Sequence, residues 1–249
     1  MSLPNVPAGY VAAEVRGARV VAHQTVQHAV REALGSSASL HAWAAKQSGA
    51  RALQGRAVAW RTMLGDADVV VRHSRHGGLL APITGDLFLA PRAPHELAAS
   101  LRLRGAGVPT PEVLAYVRYP AGPFARVDVV TRALDGADLP DAWRAADSAA
   151  RHAIVKAVAT LLRELRRAGA VHPDLNLKNV FIAGDPPVAY VLDIDRVLFR
   201  EADSTDAAYR NLVRFVRSAR KMRDAHRLEF DDATLLEPLA LTIGAKAAP

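Results

Sequence analysis

Residues 171–182 read VHPDLNLKNVFI and set a histidine, an aspartate, two asparagines and a lysine between apolar flanks. A second acidic string, VAYVLDID at 188–195, follows after a short turn and carries Asp193. The amide oxygen of Asn179 and the carboxylate of Asp193 are hard ligands, suited to a Mg²⁺ ion that keeps waters and bridges substrate phosphates. Two neighbouring strands running from one loop would bring that pair together. Asp174 is then left to orient a hydroxyl and accept its proton. Phosphoryl transfer asks little more of a protein than positioning, a metal and charge neutralisation. The plainer reading of Asp174 and Asn179 is a turn satisfied by Asx caps.

The elements that must hold these groups follow from periodicity. Residues 149–169 place Ile154, Val158, Leu161, Leu162 and Leu165 on one helical face and stop at Gly169. VFI, a GDPP turn and VAYVLDID read as two short strands, and residues 204–227 as a basic helix with Leu212, Phe215, Val216, Ala219 and Met222 as its buried stripe. Upstream the pattern is mostly strand. Residues 10–23 suit a hairpin turning at Arg16-Gly17, and 24–48 a helix broken at 35–37. Strands follow between 51 and 73, ending in VVVRH. PHELAASLRLRG (94–105) is a helix with Pro94 in its first turn. EVLAYV (112–117) and ARVDVVTRAL (125–134) are strands joined through PAGP. The expected class is α+β, with a sheet-rich N-terminal lobe over residues 1–132, including an N-terminal extension, and a helical C-terminal lobe over 133–249.

Of the 249 residues half are apolar, enough for a sizeable core, and none is cysteine. Disulfides, thiolate nucleophiles and Cys-ligated zinc are thereby excluded. The N-terminal residues lack the basic-then-apolar pattern of a secretory signal, and no apolar run approaches the ~18 residues of a membrane span. The expectation is a soluble or peripherally attached protein. A formal charge of +7 favours anionic partners: nucleic acid, nucleotides, phosphosugars or an acidic membrane surface. Aromatic residues at 6% offer few platforms for stacking single-stranded bases, so no nucleic acid is expected.

The spacing His172-x-Asp174-x₄-Asn179, with Asp193 beyond it, resembles the catalytic loop and metal-binding aspartate of the protein-kinase-like fold. HPDLNLKNVFI followed by YVLDIDRV is more specifically similar to the lipopolysaccharide core kinases, above all those acting on 3-deoxy-D-manno-octulosonic acid (Kdo). VVVRHSRHGGLL (69–80), residues 90–115 and NLVRFVRSARKM (211–222) resemble further pieces of that family, so the likeness spans roughly 50–225. With His172 and Asp193 at this spacing, the Asx-turn reading recedes.

The resemblance implies a two-lobed protein-kinase-like fold, an antiparallel N-lobe sheet and ATP with Mg²⁺ as cofactors. It implies that Asp174 is the base, that Asn179 and Asp193 hold the metal, and that His172 braces the loop. Lys178 would reach the transferred phosphate, because Asn176 stands where protein kinases carry their lysine. Arg72 overlays the strand-three lysine of V-A-I-K, Glu96 would be its partner on the following helix, and the loop at Gly55 would cover the phosphates without a G-x-G-x-x-G pattern. The implied substrate is an anionic glycolipid, a Kdo-bearing lipid A precursor, met on the cytoplasmic face of the inner membrane. A heptose kinase of the core, a protein kinase on the same scaffold and a non-enzymatic lipopolysaccharide- or nucleic-acid-binding protein remain as alternatives. Against the protein kinase, only a short segment separates Asp193 from the next helix. Arg210, Arg214, Arg217, Arg220, Lys221 and Arg223 either solvate the back of the basic helix or meet lipid phosphates.

Overall fold

The computed structural model describes residues 6–53, 57–74 and 86–242. The chain divides into two compact units. One comprises residues 1–97 with 112–133, the other 98–111 with 134–249.

The first unit is built on a seven-stranded sheet, antiparallel throughout. Its strands are β1 (Tyr10–Val15), β2 (Ala18–His23), β3 (Arg51–Leu53), β4 (Ala59–Leu64), β5 (Ala67–His73), β6 (Val113–Ala121) and β7 (Phe124–Arg132), in the order β1-β2-β6-β7-β5-β4-β3. Arg16 and Gly17 both take positive φ (49° and 79°), so β1 and β2 join through a two-residue turn whose twist matches the strands. β6 runs on through Pro120-Ala121, and only Gly122-Pro123 turns the chain into β7. Helices α1 (Gln27–Ser36) and α2 (Leu40–Ala44) cover one face. Their Val30, Leu34, Leu40 and Ala44 form a core with Val20, Ala22, Val69, Val71, Ala115, Val117 and Val130. Alternation along β5 therefore sends Arg72 and His73 to opposite faces of the sheet.

The sheet holds a polar hub that the sequence did not suggest. Asp128, fully buried on β7, takes His73 Nδ1 at 2.6 Å, the Tyr119 hydroxyl at 2.9 Å and the His41 backbone N–H at 2.9 Å. The Tyr119 oxygen in turn accepts from the Leu40 N–H. A carboxylate thus sits at the N-terminus of α2, where helix polarity favours negative charge. The other ring nitrogen of His73 lies 2.9 Å from Asp86, which also pairs with Arg126. A ring between two carboxylates that only accept must carry both protons.

The second unit packs around α5 (Ser148–Arg167). Ile154, Val155, Val158, Leu161, Leu162 and Leu165 are all buried, and Asp147 caps its first turn through the Ala150 N–H. α5 ends before Gly169, whose φ is +62°. A Cβ there would lie 2.3 Å from the Glu201 carbonyl oxygen, so no side chain fits. Around α5 stand α4 (Leu139–Ala145), α6 (Thr205–Asp224) and α7 (Asp232–Thr242). Short strands β8 (Gly136–Asp138), β10 (Val180–Ala183) and β11 (Val188–Val191) form one sheet, and β9 (Ala170–Val171) with β12 (Leu198–Phe199) another.

Residues 98–111 precede the expected 132/133 boundary and group with the second unit. The helix α3 (Ala93–Gly105) is assigned to the first unit up to Leu97 and to the second from Ala98. Leu103 and Val108 join the α5 core, and Val191 hydrogen-bonds through its N–H to Pro109 and through its carbonyl to the Thr110 hydroxyl.

The hub has a pH signature. The hydrogen bond to Asp128 lifts the His73 pKa above its ordinary 6.5, against the opposing effect of burial and with further help from Asp86. Burial tends to raise the Asp86 carboxyl, yet His73 and Arg126 hold it below its ordinary 3.8. His73 therefore adds stability that is complete below pH 6.5 and is lost as pH rises through its folded value. Asp86 adds stability that is present above pH 3.8 and is lost as pH falls through its own. The melting temperature should be highest between these limits, and His73→Gln should flatten the alkaline limb. An unchanged alkaline limb in His73→Gln, read by differential scanning fluorimetry across pH, would refute the assignment.

Candidate active site

The polar loop is fastened to the second unit's core by its own apolar residues. Leu175 and Leu177 are buried, and between and after them Asp174, Asn176, Lys178 and Asn179 stand at more accessible positions. Asn176 caps a 3₁₀ turn over Leu177–Asn179, its Oδ1 accepting from the Lys178 and Asn179 N–H groups at 2.9 and 3.1 Å. The Asx role thus falls to Asn176, the residue occupying the protein-kinase lysine position. Lys178, two residues on, is exposed.

His172 is buried and ties three pieces of chain together. Its Nδ1 accepts from the Asp174 N–H at 3.2 Å, so Nε2 carries the proton and donates to the Leu192 carbonyl at 2.9 Å. The Leu192 N–H donates to the Asn179 carbonyl at 2.8 Å. Leu192 is therefore held at both ends of its backbone by the loop, and Asp193 is the next residue. Asp193 adopts the left-handed conformation (φ 57°, ψ 50°), which aspartate tolerates better than most residues. It opens a second 3₁₀ turn, Ile194–Arg196, without spending its carboxylate on a cap.

The donor set can be tested against Mg²⁺. The Asn179 Nδ2 donates to the Asp174 carbonyl at 2.8 Å, which leaves Oδ1 as the outward acceptor. Among the described residues neither Oδ1 of Asn179 nor the Asp193 carboxylate takes a hydrogen bond. One neutral and one anionic oxygen donor, on chain segments joined through Leu192, suit a hard cation that keeps several waters. Among the described residues no cluster of three or more His, Asp or Glu side chains is gathered for a metal.

Two residues that hold the loop were not evident from sequence. Asn211, buried on α6, accepts the His172 N–H at 2.9 Å and donates to the Ala170 carbonyl at 2.8 Å. Ser218, two turns further along, accepts the Leu177 N–H at 3.2 Å. The available signal was a polar side chain in phase with the apolar stripe of a helix.

Within the first unit, Arg72 on β5 and Glu96 on α3 form an ion pair with Glu96 buried. Gly55 and the Gly-Gly turn after β5 lie outside the described residues.

A family model described as "Lipopolysaccharide kinase (Kdo/WaaP) family" matches residues 40–234. This chain belongs to that family. Like its family it is a phosphotransferase acting on a sugar hydroxyl, and kinase chemistry implies the use of ATP. A 3-deoxy-D-manno-octulosonic acid kinase of Stenotrophomonas maltophilia is 32% identical over 70% of this chain and 71% of its own. One from Vibrio parahaemolyticus is 27% identical over 75% of this chain and 80% of its own. The solved structure of WaaP in complex with acyl carrier protein matches 78% of this chain and 87% of its own at 22% identity, with a TM-score of 0.47. The family match covers the loop, Asp193 and both loop-holding residues of α6.

Replacing Asn211 by Ala leaves two buried backbone groups, the His172 N–H and the Ala170 carbonyl, without their partner. The expected loss is about 2–4 kcal/mol of stability by urea denaturation, together with reduced turnover. A loss below about 0.5 kcal/mol with normal turnover would show that Asn211 does not hold the loop.

Proposed function

We propose that this lipopolysaccharide kinase transfers the γ-phosphoryl group of ATP to a hydroxyl of Kdo on a lipid A precursor. The observation that carries the reading is the single hydrogen-bonded unit of Asp174, His172, Leu192 and Asn179, with Asp193 fixed beside it.

Asp174 orients the acceptor hydroxyl and takes its proton as the new P–O bond forms and the bond to the β-phosphate oxygen breaks. His172 does no proton transfer; both its ring nitrogens are committed to the backbone. Lys178 meets the charge on the transferred phosphoryl group. Asn179 and Asp193 would hold Mg²⁺, which when bound neutralises phosphate charge. Arg72, anchored by Glu96, contacts the non-transferred phosphates; its planar guanidinium offers a two-pronged contact that lysine lacks. Gly55 belongs to the segment proposed to cover them.

The acceptor assignment is supported by the relatives bearing the Kdo kinase name. A peripheral position on the cytoplasmic face of the inner membrane suits such an acceptor. Among the described residues no helix is long and apolar enough to cross a membrane. A peptide acceptor is disfavoured by the short path from Asp193 to α6, which holds only a 3₁₀ turn and the two-residue β12.

The test incubates the protein with Mg²⁺ and labelled ATP, offering Kdo-lipid precursor, heptosylated core or a generic protein. Label should enter the Kdo-lipid precursor; label in heptosylated core alone moves the acceptor to heptose, and absence of label from every glycolipid sinks the reading. Asp174→Ala should lower turnover by on the order of 10³-fold with ATP binding kept, whereas Asp193→Ala should weaken Mg²⁺-dependent nucleotide binding. Near-normal turnover in Asp174→Ala would remove it from the base role.

A further inference from the structure

α6 has two faces with different work. The inner face packs Leu212, Phe215 and Ala219 into the core and grips the loop through Asn211 and Ser218. Between Asp206 and Asp224 the helix carries six cationic side chains and no carboxylate. Three of these are engaged: Arg210 with Asp206, and Arg220 and Arg223 with Asp232. The remaining three, Arg214, Arg217 and Lys221, are exposed and make no ion pair among the described residues. Their spacing of three and four puts them in one row. Beside that row Tyr209 and Val213 are exposed at 57% and 37%. These two, with Arg217, Arg220, Lys221 and the single carboxylate of Asp224, edge an open depression of about 720 Å³.

We propose that this outer face of α6 is the docking surface for an anionic lipid bilayer. Charge complementarity selects the occupant. A row of unpaired cations matches a plane of lipid phosphates, each such residue gaining from the negative surface potential. The flanking tyrosine is a residue type that settles at the level of the headgroups, and the exposed valine adds apolar surface beside it. The proposal rests on the reading that the acceptor is a membrane-borne glycolipid, and it adds where the enzyme touches the membrane. The same helix holds the catalytic loop through Asn211 and Ser218, so docking of its cationic row holds the loop beside the lipid surface.

The experiment sediments the full chain with vesicles of phosphatidylcholine alone or with added phosphatidylglycerol, in the absence of ATP and acceptor. Binding should require the anionic lipid and weaken as salt is raised. The triple variant R214Q/R217Q/K221Q should bind on the order of 100-fold more weakly while phosphorylating detergent-dispersed acceptor within about twofold of the parent. Equal vesicle binding by the triple variant would overturn the proposal. Failure of the parent chain to bind anionic vesicles would also overturn it, and would leave an acidic protein as the partner of this face. Vesicle binding without transfer to any glycolipid would instead sink the catalytic reading and leave the docking surface standing.

Discussion

The backbone of Leu192 is the constraint on which the site depends. Its carbonyl accepts the hydrogen bond from His172 Nε2 and its N–H reaches the Asn179 carbonyl, so both ends of the polar loop are clamped to one residue. Everything else about the site follows from that clamp. The histidine tautomer is fixed, because the loop supplies a donor at one nitrogen and Leu192 an acceptor at the other. Asp193 is placed through the chain geometry next door, and among the described residues its carboxylate takes no hydrogen bond. Hydrogen bonds to backbone need only one imidazole and no charge, so the arrangement holds without spending an ionic group.

The two units solve the burial of polar groups differently. In the second, neutral amides and hydroxyls from α6 satisfy loop backbone, a low-cost choice because no charge is desolvated. In the first, a fully buried carboxylate gathers three donors from three elements, and an imidazole carries the electrostatics outward to Asp86 and Arg126. Such hubs are demanding, since removing any partner strands a charge. They also fix one arrangement of the α2 terminus against the sheet.

Periodicity and spacing revealed what is local. The stripe of α5 and the β1–β2 hairpin lie within short stretches whose pattern survives in one dimension. Asn211 and Ser218 escaped because their partners are about forty residues away, and nothing about a lone polar residue on a helix says what it grips. The hub escaped for the same reason, spanning His41 to Asp128. Asn176 was legible as an unusual residue at its position, but its function as a cap needed the turn to be seen. β8 has three residues and owes its form to pairing with β10, and α4 is short, so neither leaves a compositional signature.

The assignment of residues 98–111 to the second unit means that the chain passes from one unit to the other three times. No single peptide bond can be cut to release both units whole. The order of synthesis adds a burden. Leu103 and Val108 leave the ribosome well before α5 is made, and until then their apolar surface has no native partner. A nascent chain therefore carries an apolar segment through the completion of its sheet, before the rest of the core that will bury it has been made.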